Sequence, residues 1–294
     1  MTGTPVGLKN PYPGLRPFDV GEFEEFFGRD RQVDELLLRL RDHRFVAVVG
    51  LSGSGKSSLV RAGLIHKLQV GHLTGAGSEW KVALFRPGSR PLEALAAALD
   101  EALGEQPGRA EALSKSTREL LLSTRVGRAP RENLLLVVDQ FEEIFRFQRE
   151  QHLSARDAAH FVDLLLAAEQ DFSPDYRVFV VLTMRTDYLG DCAQFEGLPE
   201  ALNRCQYLVP RLTRDQMREA IEGPAALTET EIGPDLLQTL MVEAAEGRDQ
   251  LPLLQHLLTL LWEAREASEG WRMADHGESV SLVGRRGSGP QRPC

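Results

Sequence analysis

The chain has 294 residues, of which 42% are hydrophobic and 26% are charged, and its formal net charge at pH 7 is −9. This length leaves room for about two domains, and the negative charge argues against a broad nucleic-acid-binding surface, so a nucleic-acid partner is unlikely. The sequence has neither an apolar run that could span a bilayer nor a signal-peptide core, and its three cysteines lack metal-ligand spacing, so we expect a cytoplasmic protein with reduced thiols and no membrane partner.

Residues 1–25 contain four prolines and several aromatic side chains. The prolines exclude a helix, and a disordered leader seldom carries so many aromatics. We therefore expect an extended strap laid on the main domain. The segment Phe26-Phe27-Gly28-Arg29-Asp30 then leads into a helix, and it is also consistent with a hydrophobic staple and an N-cap at Asp30.

The next segment carries the most informative motif in the chain. Residues 50–57 read Gly-Leu-Ser-Gly-Ser-Gly-Lys-Ser, which matches the pattern G-x-x-x-x-G-K-S/T. An apolar, β-branched run at 45–49 precedes the motif and predicts a buried parallel strand, while apolar residues at helical spacing follow it. Such a loop lets backbone N–H groups close around phosphate oxygens, and the start of the helix adds partial positive charge.

The motif therefore predicts a nucleotide phosphate site. Lys56 is expected to reach the β- and γ-phosphates, and the Ser57 hydroxyl is expected to ligate Mg²⁺. The predicted phosphate-binding residues are Gly50, Ser52, Gly53, Ser54, Gly55, Lys56, Ser57 and Ser58.

Four further strands are predicted, and helices alternate with them. The predicted strands are 80–85, 134–138, 177–183 and 207–209, and the main helices are 91–103, one around 111–122, one after Asp139 and 156–169. Because each strand is a continuous apolar run, this alternation indicates an α/β fold with a mostly parallel sheet covered by helices on both faces. Ligands of such sheets bind at the carboxyl ends of the strands.

Several candidate catalytic residues follow these strand ends. Asp139 ends the third strand and is the expected second Mg²⁺ partner. Hydrolysis also needs a carboxylate that orients water, and since Gln140 follows Asp139, either Glu142 or Glu143 could serve, unless both lie on an exposed helix face. Arg185 could stabilise charge on the γ-phosphate or be an ordinary solvated arginine. The catalytic candidates are thus Lys56, Asp139, Glu142, Glu143 and Arg185, with Ser57 and Asp139 as metal ligands.

From Thr213 onwards the pattern changes to helices alone. Thr213 and Gln216 predict a capping box, and Gly223-Pro224 is expected to end the first helix. Two more amphipathic helices are predicted over 234–245 and 252–267.

The predicted organisation has four parts. They are a proline-rich strap at 1–25, a P-loop NTPase domain at 26–212, a small all-α lid domain at 213–270, and a tail at 271–294. The tail lacks an apolar period and is either disordered or not native coding sequence.

Together these motifs resemble the STAND NTPases, and most closely the novel STAND family of large bacterial signalling and conflict-system proteins. The resemblance covers about residues 10–270. The motifs that carry it are Asn10-Pro11-Tyr12-Pro13-Gly14-Leu15-Arg16-Pro17-Phe18, Phe27-Gly28-Arg29-Asp30, Gly50–Ser58, Arg61-Ala62-Gly63-Leu64, Asp139-Gln140-Phe141-Glu142-Glu143, Arg185-Thr186-Asp187, Ala220-Ile221-Glu222-Gly223-Pro224-Ala225 and Leu251-Pro252-Leu253-Leu254.

The resemblance implies a P-loop fold with an extra strand between the two Walker strands, followed by a helical domain. It implies ATP as the nucleotide with Mg²⁺, and it places Gly28 and Arg29 at the adenine pocket and Arg185 at a sensor position. Pro252 matches the proline with which the lid touches the nucleotide, although a proline at the start of a helix needs no function.

The resemblance further implies a slowly hydrolysing molecular switch that self-associates on activation and acts through an attached sensor or effector. Because this chain carries no effector before residue 10 and no repeats after 270, we expect a fragment or frameshifted product. The alternatives are an AAA-type mechanical or initiator-like ATPase, a small-molecule phosphotransferase, and a domain that binds nucleotide without hydrolysis.

Overall fold

The computed structural model describes residues 9–73, 75–170, 175–246 and 250–267. The predicted tail at 271–294 lies outside the described residues. The strands within this part of the chain are β1 (Phe45–Gly50), β2 (Trp80–Phe85), β3 (Asn133–Val138), β4 (Val178–Arg185) and β5 (Gln206–Leu208).

Helices make up more than half of the described residues that lie outside the strands. They are α1 (Asp30–Asp42), α2 (Lys56–Ser58), α3 (His66–Gln69), α4 (Pro91–Leu103), α5 (Arg109–Lys115), α6 (Thr117–Ser123), α7 (Glu143–Arg149), α8 (Ala155–Glu169), α9 (Leu198–Arg204), α10 (Arg214–Ala226), α11 (Pro234–Glu246) and α12 (Gln250–Ala267). A π-helical segment, Leu59–Ile65, joins α2 to α3, so the helix predicted after the glycine-rich loop is α-helical only at its ends. In the described residues, no helix is long and apolar enough to cross a membrane.

The strands form one sheet in the order β2-β3-β4-β1-β5, and every neighbouring pair is parallel. The predicted α/β fold with a parallel sheet is therefore confirmed. β4 lies between β1 and β3, which is the extra strand that the resemblance implies. This order brings the carboxyl ends of β1, β3 and β4 side by side.

Helices cover both faces of this sheet. Along β1, Phe45, Ala47 and Val49 belong to one core cluster, which includes residues of α4 and α8. Val46 and Val48 belong to the other, which includes α1 and the π-helical segment. Because successive side chains of a strand point to opposite faces, this division explains why β1 is apolar at every position from Phe45 to Val49.

Three local predictions are wrong. Asp30 is the first residue of α1 and Arg29 is its N-cap, without a side-chain cap bond. The single helix expected around 111–122 is two helices, because Ser116 is extended between them. Pro224 does not end α10, which continues for two more residues to Ala226. Because Pro224 lies close to the C-terminal end of α10, the proline removes one backbone hydrogen bond and leaves the last turn of the helix intact. The capping box at the start of α10 is confirmed, with Thr213 and Gln216 bonded to each other's backbone N–H groups.

The chain forms two compact units. The sheet unit is Pro17–Arg211, and the helical unit consists of the described residues within Met1–Arg16 and Leu212–Cys294. The proline-rich segment is thus divided between the units, whereas the sequence suggested one strap on the main domain. The reason lies in Tyr12, which is buried in the core of the helical unit, where its hydroxyl donates to the Ile221 carbonyl at 2.7 Å and its ring packs edge-on against Trp262.

Candidate functional site

The glycine-rich loop between β1 and α2 has a backbone that only its glycines allow. Gly53 and Gly55 have φ angles of +68° and +85°, in the left-handed region that glycine adopts without strain. A Cβ atom on Gly50 would lie 2.7 Å from Ser54 Oγ. The Ser54 hydroxyl oxygen is itself buried and has no hydrogen-bond partner among the described residues. A buried hydroxyl without a partner in a loop of this shape fits an anionic ligand that would complete its hydrogen bonding.

Lys56 begins α2 and is buried beneath the loop. Its Nζ donates to the carbonyl oxygens of Gly50 at 3.1 Å and of Leu51 at 2.7 Å. Burial lowers the pKa of Lys56, and the charges of Glu142 and Asp139 partly oppose that effect. An ammonium group hydrogen-bonded to neutral carbonyls can exchange them for phosphate oxygens, which are stronger acceptors.

Asp139 ends β3 and is only 1% exposed. Its Oδ1 accepts from the Ser57 hydroxyl at 2.7 Å and from the Thr183 hydroxyl at 2.7 Å. Its Oδ2 accepts from Arg61 Nη2 at 3.0 Å. Donors from α2, the π-helical segment and β4 therefore converge on one carboxylate, which is how a buried charge is stabilised.

The sequence did not identify Thr183 and Arg61 as partners of Asp139. Thr183 is the one hydroxyl side chain in the apolar run of β4, and it is 1% exposed. A lone polar residue in a strand next to β3 is a signal that could have found it. Arg61 comes four residues after Ser57 and so lies on the same helical face, which is a second usable signal.

The oxygen donors of Ser57 and Asp139 suit Mg²⁺, which prefers hard oxygen ligands and keeps several waters. Among the described residues, no group of three or more His, Cys, Asp or Glu side chains could hold a metal ion. A pair of one hydroxyl and one carboxylate would therefore need phosphate oxygens and water to complete six-fold coordination. The donor set beside the phosphate loop fits that requirement.

Gln140 forms a turn between Asp139 and the two acidic residues Glu142 and Glu143. It has a φ of +57°, which turns the backbone sharply after Asp139. Its N–H donates to Thr183 Oγ1 at 2.9 Å, and the next N–H, of Phe141, donates to the Thr183 carbonyl at 2.9 Å. The chain is thus fixed along the end of β4 before α7 begins.

Glu142 and Glu143 have different surroundings. Glu142 Oε2 accepts from the Arg185 backbone N–H at 3.4 Å. Burial raises the pKa of Glu142, while its own backbone and then the Lys56 charge oppose the effect. Glu143 Oε2 instead accepts from the Gly88 N–H at 3.0 Å, in the loop that follows β2. The charge of Lys56 thus acts on Glu142, whereas Glu143 is bonded to the loop after β2.

Arg185, at the end of β4, is paired with a neighbour. Its Nε and Nη2 donate to the two carboxylate oxygens of Asp187 at 3.0 and 2.7 Å. This pairing raises the pKa of Arg185. The Arg185 charge contributes to lowering the pKa of Lys56, so the two cations lie within electrostatic range of each other. A sensor role for Arg185 stays a prediction.

Arg29 stabilises the glycine-rich loop through a hydrogen bond to the loop backbone. It is 4% exposed, and its guanidinium donates to the carbonyl oxygens of Ser54 at 3.1 Å and of Pro210 at 2.8 Å. Burial lowers the pKa of Arg29 to about 10. Its neighbour Gly28 has a φ of +79°. The family resemblance implies that both residues lie at the adenine pocket, which stays a prediction. The sequence did not indicate that Arg29 also supports the glycine-rich loop.

The remaining predicted residues lie at the edges of these contacts. Ser52 is exposed, and Ser58 Oγ accepts from the Phe18 N–H at 3.1 Å. Pro252 is half-buried in the first turn of α12, within the helical unit. Its contact with nucleotide stays a prediction.

The family model described as Novel STAND NTPase 1 matches residues 11–278. No curated protein matches the sequence.

Solved structures share the fold at low sequence identity. The Aeropyrum pernix Orc1 protein in complex with DNA has a TM-score of 0.60 and 17% identity, covering 85% of this chain and 63% of that chain. Cdc6p from Pyrobaculum aerophilum has a TM-score of 0.55 and 15% identity, over 81% and 62%. Closed-state Hsp104 with ATPγS and casein has a TM-score of 0.55 and 14% identity, over 84% and 40%. This chain thus spans less than two thirds of each, and the identities show the fold alone.

Proposed function

The chain belongs to the novel STAND NTPase 1 family, and we propose that it is an ATP-binding switch that hydrolyses ATP slowly to ADP and phosphate. The observation that carries the proposal is the hydrogen bond of 2.7 Å between Ser57 and Asp139. It joins the end of the phosphate loop to the end of β3, where a Mg²⁺–nucleotide complex would need oxygen ligands.

The nucleotide phosphates would bind at the glycine-rich loop of residues 50–57. The phosphates would accept hydrogen bonds from the loop backbone, from the unpartnered Ser54 hydroxyl and from Lys56. Lys56 would exchange the carbonyls of Gly50 and Leu51 for phosphate oxygens. ATP rather than GTP is the nucleotide that the family favours.

Ser57 and Asp139 are the residues that would hold Mg²⁺. When bound, the metal would neutralise charge that develops on the phosphate oxygens. Asp139 is already fixed by Ser57 and Thr183 hydroxyls, so the carboxylate is oriented before any ligand arrives.

We assign the water-orienting role to Glu142 and not to Glu143. Glu142 interacts with the charge of Lys56, whereas Glu143 is bonded to the Gly88 N–H. A carboxylate with a raised pKa is a better base, so Glu142 would accept the proton of the attacking water while the bond from the γ-phosphorus to the leaving oxygen breaks. Arg185 would have to leave Asp187 before it could contact the γ-phosphate, which is consistent with slow turnover.

The switch would operate through the helical unit. In such a mechanism, bound ATP and bound ADP favour different arrangements of the protein, and a partner or attached domain reads the difference. Self-association on activation and an output in signalling or conflict response are part of the same proposal, and family membership supports them.

The direct test measures ATP affinity with and without Mg²⁺ for wild type and for Lys56→Ala. The matched control is Lys67→Ala. Lys67 lies in α3, which is joined to α2 by the π-helical segment, and the substitution removes its ion pair with Asp34 of α1. We expect Lys56→Ala to lose at least about tenfold in affinity, while Lys67→Ala stays near wild type. Equal affinities for wild type and Lys56→Ala would contradict nucleotide binding at this loop.

A second candidate is an initiator-like ATPase that acts on DNA, and the fold similarity to the Orc1 structure in complex with DNA favours it. The net charge of −9 weighs against it. DNA affinity that falls steeply with salt would support this candidate, because such a slope reports released counterions.

A further inference from the structure

Arg61 lies between two carboxylates that belong to different parts of the sheet unit. Its Nη2 is 3.0 Å from Asp139 Oδ2, and its Nη1 is 3.8 Å from Asp19 Oδ1. The Asp139 side chain is 1% exposed and the Asp19 side chain 66%. Arg61 Nε is buried, and the part of the chain that the structure describes offers it no hydrogen-bond acceptor. The guanidinium therefore has one strong partner, one weaker partner nearby and one unsatisfied donor.

Asp139 does not need Arg61 for its orientation. The hydroxyls of Ser57 and Thr183 both donate to its Oδ1, and they come from α2 and β4. What Arg61 adds at Oδ2 is a positive charge in a buried setting, where opposite charges interact strongly. A divalent cation bound by Ser57 and Asp139 would therefore be repelled by the positive charge of Arg61, which already neutralises Asp139.

Asp19 is held where Arg61 could reach it. Its side chain caps the short 3₁₀ turn Val20–Glu22, and its backbone N–H donates to Glu22 Oε2 at 2.9 Å. The preceding residue, Phe18, is tied through its N–H to Ser58 Oγ, one residue from Ser57. Both carboxylates therefore lie within 4 Å of one guanidinium.

From these contacts we infer that Arg61 is a displaceable counter-ion: it neutralises Asp139 in the metal-free site and turns to Asp19 when Mg²⁺ binds with nucleotide. Arg61 and Asp19 are thus positioning residues that set the Mg²⁺ dependence of nucleotide binding. This inference rests on the proposed function, because it assumes a Mg²⁺–nucleotide complex at Ser57 and Asp139.

The test uses the full chain and the ratio of its ATP affinity in Mg²⁺ to its affinity in EDTA, measured by calorimetry. Arg61→Gln removes the competing charge, so the ratio should rise on the order of tenfold. Asp19→Asn removes the alternative partner and leaves Arg61 on Asp139, so the ratio should fall by about threefold. In EDTA, Asp19→Asn should keep the wild-type affinity, whereas Arg61→Gln leaves the charge of Asp139 uncompensated and should bind ATP more weakly than wild type.

Two controls separate this role from a purely structural one. Arg61→Lys keeps the positive charge, so its ratio should stay within about twofold of wild type. Lys67→Gln also removes one positive charge but pairs with Asp34 and Asp30 instead, so its ratio should not change. Because the Asp19 side chain is exposed, Asp19→Asn should fold normally. Its affinity ratio therefore tests the inference even if Arg61→Gln does not fold.

Opposite signs for Arg61→Gln and Asp19→Asn are the expected result. A lower ratio for Arg61→Gln, or an unchanged ratio for Asp19→Asn, would overturn the inference and leave Arg61 as a structural partner of Asp139. Failure of the proposed function has a different signature, since wild type itself would then bind no ATP, or bind it equally well with and without Mg²⁺.

Discussion

Glu142 and Glu143 are consecutive in the chain, but their carboxylates are hydrogen-bonded to backbone N–H groups almost a hundred residues apart, at Arg185 and at Gly88. Glu142 is bonded to the end of β4, and Glu143 to the loop after β2. This divergence places Glu142 in electrostatic range of Lys56 and ties Glu143 to a neighbouring loop of the sheet unit.

Glu143→Ala should therefore affect stability more than catalysis. The substitution leaves the Gly88 N–H without its acceptor, which should lower the free energy of unfolding by about 1–2 kcal/mol. Urea denaturation measures this loss, and ATP turnover at a temperature well below the transition should change by less than about threefold. A large loss of turnover with unchanged stability would instead place Glu143 in the reaction.

The pH dependence of stability should report the burial of Glu142. Burial raises the pKa of Glu142 above the usual value of 4.5. At pH values between the unfolded and the folded pKa, the folded state therefore holds a proton that the unfolded state has lost. The favourable contribution present below the unfolded pKa is then lost as the pH rises through the folded pKa.

Glu142→Gln stays uncharged over this range. The unfolding free energy of wild type minus that of Glu142→Gln should decrease as the pH rises from about 4.5 towards neutrality. Urea titrations at several pH values measure the difference. A difference that stays constant with pH, or that increases, would show that the carboxylate is not destabilised by its surroundings.

Arg29→Ala should weaken both the fold and the nucleotide site. It leaves the carbonyls of Ser54 and Pro210 without their donor at a partly buried site, and we expect a loss of about 1–3 kcal/mol in the free energy of unfolding. Arg29→Lys should rescue only part of this loss, because an ammonium lacks the planar fork that reaches both oxygens. Arg31→Ala, which removes an exposed pair with Glu35, is the control and should cost under about 1 kcal/mol.

Gly63→Ala should destabilise the packing of α1 on the π-helical segment. A Cβ atom at this position would lie 2.5 Å from Val33 Cγ2 and 3.2 Å from Phe26 Cε1. Such overpacking typically costs about 1–3 kcal/mol. Combining it with Val33→Ala should give a loss smaller than the sum of the two single losses, and additive losses would contradict this contact.

The sequence predicts the sheet and the position of the site because both depend on local pattern. Apolar strands predict a covered parallel sheet, and the motif at 50–57 has the strand and helix that it requires on either side. Asp139 follows from the same logic, since it ends a buried strand. These features need no knowledge of distant contacts.

What the sequence could not provide are pairings across long separations. The choice between Glu142 and Glu143 depends on the turn at Gln140 and on Gly88, which lies 55 residues from Glu143. Tyr12 is buried in the helical unit through a bond to Ile221 that spans 209 residues. Local propensity has no information on such contacts, which only the tertiary structure creates.

The most direct test of the proposed ATPase compares ATP binding and hydrolysis in wild type, Glu142→Gln and Glu143→Gln under the same conditions with Mg²⁺. All three proteins should bind ATP with similar affinity, because neither acid contributes a phosphate or metal contact in the proposed mechanism. Glu142→Gln should lose about 10²-fold or more in turnover, the range expected when a general base is removed, whereas Glu143→Gln should keep most of it. Loss of turnover in Glu143→Gln with normal turnover in Glu142→Gln would contradict the assignment, and an inactive wild type that binds ATP would show a nucleotide-binding domain without hydrolysis.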